Sequence, residues 1–450
     1  MISSLVSDFE PAAVLPMRLS SDGLSSLVIV NRGRSSPGIV FPAAVMTFTV
    51  NSSGDTSDAN PGDGICHDGA GACTLRAAIE EANANVGADT INITRSEGAF
   101  TLSPGSALPQ ITETLTLDGT TQPGFAGSPR VEIRAAGLSP TDPGLQIGTD
   151  SCVVRGLVIN RFAAEGVKVL GSSNIIEGNF IGPDLTGTAA ILGNRYGVSV
   201  SGVTASGNTI GGTTIAARNV ISGNTEVNVT ISSVAPAGNR VRGNFIGTDS
   251  SGTAALGGNG VSVSDSPNNL IGGTSEPERN VISGSSSFNV GIAGALATGN
   301  TVQGNFISTD VTGTTALGGD GVFIFLTASN NLIGGVVAEA RNIISGGGVG
   351  IGVQDNADNN VIQGNFIGTN VDGTTALGNV QGIRISAANT IIGGTVAGAG
   401  NLISGNCCGG GGGIDLGTGV GTAVQGNFIG TDVTGTIAIG NGFRSQFRKR

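Results

Sequence analysis

The feature that most constrains the fold of this chain is a heptapeptide that recurs about every sixty residues. It reads Gly-Asn-Phe-Ile-Gly-Thr-Asp at 243–249, and near-copies stand at 178–184, 304–310, 364–370 and 426–432. A catalytic motif is needed once for each site, whereas a structural phrase is needed once for each layer of a repeat protein. The recurrence therefore predicts a solenoid.

Each sixty-residue unit divides into two coils that carry the same three strand phrases. Residues 260–264 alternate apolar and polar side chains, which indicates a half-buried strand, and two Asn-containing strands follow at 268–273 and 280–283. The stretch 144–169 shows a bare coil, in which successive alternating strands lie 22 residues apart. The pattern predicts an all-β chain folded as a right-handed parallel β-helix, with equivalent strands stacked ~4.8 Å apart.

Nine asparagines occupy the same place in nine consecutive coils, just before the third strand. We interpret them as a structural ladder, because stacked side-chain amides bond to one another and Asn tolerates the left-handed backbone of a sharp bend. The members are Asn179, Asn219, Asn244, Asn280, Asn305, Asn342, Asn365, Asn401 and Asn427.

Composition excludes several classes of fold and partner. The 450 residues include 78 Gly, one Tyr and no Trp, and they lack the helical periodicity of ankyrin or TPR repeats and the aromatic signatures of propeller blades. A net charge of -11 opposes nucleic acid as a partner. No apolar run is long enough for a transmembrane helix. We expect a monomer.

The first ninety residues differ from the repeat. Leu75, Ala78, Ile79 and Ala82 fall at helical spacing, which predicts one short amphipathic helix with Thr74 as its N-cap. Placed before a solenoid, such a helix would cover the exposed end of the first coil.

Residues 73–79, Cys-Thr-Leu-Arg-Ala-Ala-Ile, resemble the Cys-Ser-Leu-Arg-Glu-Ala-Ile signature of the CSLREA domain, and 108–112 and 118–124 are also similar to that group. This domain is a short N-terminal module of bacterial secreted and surface proteins that commonly precedes right-handed β-helix repeats. Ala77 replaces the family Glu, so this copy keeps the Thr cap and loses the reciprocal bond of a capping box. The resemblance implies a pectin-lyase-like fold and an extracellular or cell-surface location, without implying any chemistry.

Four segments follow from these patterns: a leader at 1–45, the cap at 46–90, the β-helix at 91–442 and a basic tail at 443–450. The leader is either a signal-peptide remnant, with a short apolar core at 38–45, or a disordered segment, and Met46 is an alternative start. The tail does not continue the repeat, which suggests a truncated or frame-shifted end.

The cysteines favour an exported protein. Cys66 and Cys73 flank a small Gly-containing loop that suits a disulfide in an oxidising compartment, and zinc is disfavoured because His67 is the single His. Cys152 is interpreted as a small core residue. No role follows for Cys407 and Cys408.

Four oxygen-bearing side chains crowd into the cap segment, at Asp55, Asp58, Asn60 and Asp63. Asp, Asn, Gly and Pro make ordinary turns, which is the favoured interpretation, and a Ca²⁺ site is the alternative. No other cofactor is expected.

Pectin-degrading enzymes use the same fold, so the outward-facing side chains must be tested for catalytic groups. The middle residue of the first strand of each coil should face solvent, which gives the column Gln146, Lys168, Ser199, Thr230, Ser262, Gly291, Phe323, Gly350, Arg384 and Asp415. The column holds no stacked carboxylate pair for acid–base work. Arg384 and Asp415 are adjacent, and we interpret them as a surface ion pair in preference to a catalytic pair.

We therefore predict a non-catalytic secreted or cell-surface scaffold, similar to an adhesin, with a polysaccharide lyase or glycoside hydrolase as the alternative. Its partner would be an extracellular polysaccharide or a surface protein. Contacts would lie on the inserted loops, such as 248–258, because variable loops on a regular scaffold are where repeat proteins bind.

Overall fold

The computed structural model describes most of the chain. It covers residues 11–17, 26–31, 38–40, 45–96, 98–190, 193–232, 238–407 and 411–442.

The chain winds through three long parallel sheets, and the predicted right-handed parallel β-helix is confirmed. We number the sheets by the order in which one coil passes through them. Sheet 1 has ten strands: Leu145–Ile147, Glu165–Val169, Tyr196–Ser201, Val227–Ser232, Asn259–Ser264, Phe288–Ala293, Asp320–Phe325, Val349–Val353, Gln381–Ile385 and Ile414–Asp415.

Sheets 2 and 3 continue each coil. Sheet 2 has thirteen strands: Thr47–Val50, Asp89–Ile93, Leu115–Asp118, Val153–Arg155, Ile175–Glu177, Thr209–Gly211, Arg240–Arg242, Leu270–Gly272, Thr301–Gln303, Leu332–Gly334, Val361–Gln363, Ile391–Gly393 and Ala423–Gln425. Sheet 3 has twelve: Phe100–Leu102, Val131–Arg134, Leu157–Asn160, Phe180–Ile181, Val220–Ile221, Phe245–Ile246, Val281–Ile282, Phe306–Ile307, Ile343–Ile344, Phe366–Ile367, Leu402–Ile403 and Phe428–Ile429.

The interior is a continuous column of branched side chains, because the inward positions of all three sheets carry Val, Ile or Leu. In strand Asp320–Phe325, Val322 and Ile324 are fully buried, while Phe323 between them faces outward. In the four Phe-Ile strands of sheet 3 from Phe180–Ile181 to Phe366–Ile367, the Ile lies in this core and the Phe lies in a second apolar cluster on the other side of the sheet. In the last such strand, Phe428–Ile429, the Phe is exposed.

The predicted Asn ladder is confirmed over all nine residues. At each step the Oδ1 of one Asn accepts from the backbone N–H and the Nδ2 of the Asn in the preceding coil. One part of the explanation was wrong, because none of these nine asparagines has a positive φ. The left-handed residue in the Phe-Ile coils is the preceding glycine, such as Gly304 at φ 71°. The Asn is needed for its side-chain amide, which forms the hydrogen bonds of the ladder.

Two further asparagine columns were not predicted. Between sheets 1 and 2, the same bonds join Asn174, Asn208, Asn239, Asn269, Asn300, Asn331 and Asn360. Between sheets 3 and 1, a shorter column contains Asn194 and Asn224, and then Asn379, Asn406 and Asn441. Asparagine side chains thus link neighbouring coils by hydrogen bonds at all three corners of the β-helix.

The N-terminal module begins the helix. Helix α1 spans Leu75–Ala84, and its N-cap Thr74 accepts from the Ala77 backbone N–H at 3.0 Å. Its apolar face joins the core, so the helix covers the first coil. Strand Thr47–Val50 pairs in parallel with Asp89–Ile93, so the expected boundary at residue 91 falls inside a strand of sheet 2. The cap and the solenoid share that sheet.

The described part of the expected leader is a small antiparallel sheet. Its strands are Pro11–Met17, Ser26–Asn31 and Gly38–Val40, the last of which overlaps the apolar run proposed as a signal-peptide core. Residues 41–44 and the basic tail at 443–450 lie outside the described residues.

Single turns of 3₁₀-helix occur at Gly119–Thr121, Ile215–Ala217, Glu276–Glu278 and Ala338–Ala340. No helix in the described ranges combines the length and the apolar character that crossing a membrane requires.

Candidate functional site

The long inserted loops, in which partner contacts were expected, stack on one another. The Val311 N–H donates to the Gly252 carbonyl at 2.9 Å, and the Val371 N–H donates to Gly313 at 3.0 Å, each across two coils. Within a loop, Asp310 accepts from the backbone N–H groups of Thr314 and Thr315, both at 3.1 Å. These bonds make the loops a regular part of the scaffold.

These loops cover the outer face of sheet 3. Phe245, Phe306 and Phe366 face outward there, yet they are only 3%, 4% and 5% exposed. Val311 and Val371 from the loops pack against this cluster. We call the three rings the covered phenylalanines.

Arginines from the six-residue inserts complete the cover. The Cζ atoms of Arg218, Arg279 and Arg341 lie 4.2, 4.3 and 4.0 Å from the ring centres of the covered phenylalanines. Burial lowers the pKa of each of these guanidinium groups. A cation is attracted to the face of an aromatic ring. Each arginine side chain therefore stays on its ring and shields it from water.

The outer face of sheet 1 is open by comparison. Strand pairing confirms the predicted outward column at every coil except one. The correction is that Gly352, and not Gly350, pairs with Phe323 on one side and Arg384 on the other. The strand reads Val-Gly-Ile-Gly-Val, so its alternation fits the column equally well after a shift of two residues along the strand.

An aromatic groove lies on this open face. It has a volume of about 280 Å³ and is lined by Ser287, Phe288, Asp320, Phe323, Phe325 and Gln354. The rings of Phe288 and Phe325 have centres 6.4 Å apart at 51°. All three rings are partly exposed. We call this set the aromatic groove.

Glycines shape the floor of the aromatic groove. A Cβ added to Gly291 would lie 2.8 Å from Cε2 of Phe288, and one added to Gly352 would lie 2.8 Å from Cε1 of Phe323. Each ring therefore lies down against a glycine of its own face, and the rings form a shallow platform. Apolar platforms with a few polar groups at the edge are typical of ligand sites.

A cluster of charged side chains occupies the N-terminal part of the outer face of sheet 1. Lys168 pairs with Glu165 at 3.3 Å, and Arg195 pairs with Glu226 at 2.8 Å. The Tyr196 hydroxyl bonds to Glu226, which raises the pKa of the phenol and lowers that of the carboxyl group. At neutral pH the phenol of Tyr196 is protonated and the carboxyl group of Glu226 is ionised. The pair therefore offers neither a protonated carboxyl group as a general acid nor a phenolate as a general base.

Arg384 and Asp415 pair in register on neighbouring strands of sheet 1, as expected. The predicted ion pair between them is not formed. Both side chains are exposed, and one Asp415 oxygen accepts from the Gly417 N–H at 3.0 Å. A carboxylate that caps its own turn is held away from a cation on the next strand.

The four cap oxygen donors do not converge on one point. Asp55 pairs with Arg76 at 3.0 Å, whereas Asp58 accepts from the backbone of Asn60 and His67, both at 2.9 Å. Asp63 accepts from the Ile65 N–H, as carboxylates in turns do. Across the described ranges, no three His, Cys, Asp or Glu side chains are grouped to hold a metal. These contacts are those of turns, the favoured interpretation of the segment.

Cys66 and Cys73 are joined by a disulfide in the structure. Cys152 is buried, and burial raises its thiol pKa to about 11, so it is an unreactive core residue. Cys407 donates its backbone N–H to the Asn379 carbonyl at 3.0 Å, and Cys408 lies outside the described residues.

The aromatic groove was not predicted from the sequence, although one signal was present. Most outward positions of sheet 1 carry small or polar residues, but strand Asp320–Phe325 carries Phe at two of them. Phe288 lies at a strand start and joins this pair only through the coil register.

A comparison with protein-family models and a comparison with curated proteins each found no match to this chain.

Proposed function

We propose that this chain is a non-catalytic scaffold of the extracellular space or cell surface that binds polysaccharide through the aromatic groove. The observation that carries the proposal is the open platform of Phe288, Phe323 and Phe325 on sheet 1, in contrast to the covered phenylalanines on sheet 3. Exposed apolar clusters of this kind mark binding surfaces.

The chemistry of the groove suits a sugar. Flat aromatic rings present broad apolar faces, against which the C–H faces of a pyranose pack, while the rim supplies polar groups for hydroxyls. Asp320 accepts from the Val349 N–H at 2.9 Å through one oxygen, which leaves the other oxygen for a ligand hydroxyl. Gln354 and Ser287 add an amide and a hydroxyl.

The charged groups argue against hydrolysis or elimination at this face. Glycosidases pair two carboxyl groups, one of them with a raised pKa. The carboxylates of Glu165 and Glu226 are each neutralised by a cation, and the pKa of Glu226 is lowered by its bonds to Tyr196 and Arg195. The proposal is therefore binding without cleavage.

The proposed location has two independent supports. The disulfide between Cys66 and Cys73 suits an oxidising compartment. The resemblance of residues 73–79 to CSLREA modules points to the same class of exported bacterial β-helix proteins.

The test is a screen of the full chain against neutral and acidic polysaccharides, with binding scored by affinity electrophoresis and cleavage scored by new reducing ends, with and without Ca²⁺. We expect binding without cleavage. Phe323→Ala should weaken binding by about 2 kcal/mol, roughly 30-fold, because it removes one of the three rings that line the groove.

Thr230→Ala is the matched control, since Thr230 lies in the same outward column three coils away. It should bind as the unaltered chain does. Binding that survives Phe323→Ala would contradict the proposal. Cleavage that disappears in Arg384→Ala or Asp415→Ala, with the fold intact, would establish the enzyme alternative.

A further inference from the structure

We infer that the peptide bond between Val45 and Met46 is a processing site, and that the α-ammonium group released on Met46 binds the buried carboxylate of Asp89. The inference assigns a modification site together with the group that receives its product, and it does not depend on the proposed function.

Asp89 is a buried carboxylate with an incomplete set of partners. It stands at the start of strand Asp89–Ile93 of sheet 2 and is only 2% exposed. Its Oδ1 accepts from the Met46 backbone N–H at 2.8 Å, whereas its Oδ2 is buried and has no hydrogen-bond partner among the described residues. Buried carboxylates are ordinarily paired or fully hydrogen-bonded, because desolvating a charge without partners is costly.

A second buried carboxylate adds to the negative charge of this region. Glu81 of helix α1 is fully buried, and its oxygens accept from the N–H groups of Gly62 and Gly64 and from the side-chain amide of Asn85. Burial raises the pKa of Asp89, the hydrogen bond to its Oδ1 offsets only part of this, and the charge of Glu81 raises the pKa further. No ion pair between described residues involves either carboxylate. A cation at Asp89 would therefore be favourable.

Met46 is held where its nitrogen can supply that cation. Its carbonyl accepts from the Thr90 N–H at 2.9 Å, and its side chain packs against the hydrophobic core. As part of a peptide bond, the Met46 nitrogen carries one hydrogen, which it donates to Oδ1 of Asp89. As an ammonium group, it carries three hydrogens and a positive charge, so the same atom can donate to both carboxylate oxygens.

The bond to be cut is accessible. Val45 is 68% exposed, and Val45 and Met46 precede strand Thr47–Val50 in irregular backbone, which is where endopeptidases cut folded chains. Hydrolysis by an endopeptidase consumes one water molecule. Its oxygen completes a carboxylate on Val45, and its two protons convert the Met46 amide nitrogen to an ammonium group. The positive charge thus stays beside Asp89, and the new negative charge belongs to the fragment 1–45.

The test uses two versions of the full chain that are folded first and then cut. In one, residues 42–45 are replaced by the recognition sequence of a protease that cuts after it, so that the cut chain begins at Met46. In the matched control, residues 41–44 are replaced, so that the cut chain begins at Val45 and its ammonium group lies one residue further from Asp89. Hydrogen exchange, measured by mass spectrometry, is then compared in peptides that cover strand Thr47–Val50.

Exchange in strand Thr47–Val50 should be at least about tenfold slower in the chain that begins at Met46, because a charge-assisted hydrogen bond then holds this edge strand of sheet 2. Asp89→Asn keeps an oxygen that can accept from Met46 and removes the charge. It should therefore abolish the difference between the two cut chains. Circular dichroism checks that each form is folded.

The natural N-terminus supplies the second measurement. The protein isolated from its own cells should begin at Met46 with a free amine, as determined by mass spectrometry of its N-terminal peptide. Equal exchange in the two cut chains, or a difference that persists in Asp89→Asn, would overturn the ammonium site. A natural chain in which Val45 is still bonded to Met46, or a bond that resists the protease in the folded chain, would overturn the processing site. All four results leave the proposed binding at the aromatic groove unaffected.

Discussion

Phe306 and Phe323 lie on the same β-helix within twenty residues of each other, and both face away from the central core, yet their surroundings differ completely. Phe306 is 4% exposed, with Arg279 on its ring face, and it belongs to the apolar cluster against which Val311 and Val371 pack. Phe323 lies on an open face, in a groove edged by Asp320 and Gln354. The difference comes from the inserts, which fold over sheet 3 and leave sheet 1 bare.

The contrast shows that a solenoid uses the same residue type for two purposes. A ring sealed by an arginine and a stacked loop stabilises the scaffold by keeping apolar surface from water. A ring left open at the same kind of position costs nothing in core packing and remains available to a ligand. If this interpretation is correct, substitutions on the two faces should divide cleanly between stability and binding.

The largest expected effect is on stability at the covered face. Phe306→Ala should lower the free energy of unfolding by about 3–5 kcal/mol, because it opens a cavity in the apolar cluster beneath Arg279. Phe323→Ala should change it by less than about 1 kcal/mol, because its ring is already partly solvated. Urea denaturation followed by circular dichroism measures both. Equal losses would remove the distinction between the two faces.

A smaller effect should follow from removing a covering arginine. Arg341 lies 4.0 Å from the Phe366 ring centre and donates Nε to the Gly364 carbonyl at 3.3 Å. Arg341→Met should destabilise the chain by about 1–2 kcal/mol through loss of the stack and the hydrogen bond. Arg384→Met, on the open face, should stay within about 0.5 kcal/mol in the same denaturation experiment. A loss at Arg384 as large as at Arg341 would show that the open face also supports the fold.

The smallest effect concerns Asp310, in the inserted loop that follows strand Phe306–Ile307. The next loop of this type has Asn370 at the equivalent position, and its side chain accepts from the backbone of Thr374 and Thr375 at 3.0 and 3.1 Å, as Asp310 does in its own loop. An amide oxygen can therefore replace the carboxylate oxygen. Asp310→Asn should change the free energy of unfolding at pH 7 by less than about 0.5 kcal/mol, as measured by urea denaturation.

The same variant has a signed pH dependence. Burial raises the pKa of Asp310, but hydrogen bonds from Thr315, Thr312 and Thr314 outweigh it and hold the pKa below its ordinary value. A lowered folded pKa means that the carboxylate stabilises the fold above about pH 4 and that this contribution is lost as the pH falls through the folded pKa. On acidification, the unaltered chain should lose more stability than Asp310→Asn. The opposite order in acid denaturation would show that the loop is not held by the charged form.

Much of the fold was predictable because each coil of the solenoid repeats the same sequence pattern. The heptapeptide period and the 22-residue bare coil led to the parallel β-helix. An asparagine recurs in nine coils at the position of Asn305, and this recurrence led to the ladder. The prediction erred in the register at Gly350 and Gly352, because the alternation Val-Gly-Ile-Gly-Val fits the column equally well after a shift of two residues. It also expected left-handed backbone at the Asn itself, whereas the preceding glycine, Gly304, is the residue that adopts it.

The sequence by itself determined the coil period, one ladder of asparagines and the outward column in all coils but one, because these depend on periodicity along the chain. Only the tertiary structure decided which phenylalanines are sealed and which are open. Phe288 and Phe325 are 37 residues apart and meet through coil stacking, and Arg279 reaches Phe306 only because its insert folds back over sheet 3. Such contacts depend on where a loop lies after the coils have stacked, and no local pattern encodes that position. The aromatic groove is the part of the surface that this folding leaves uncovered.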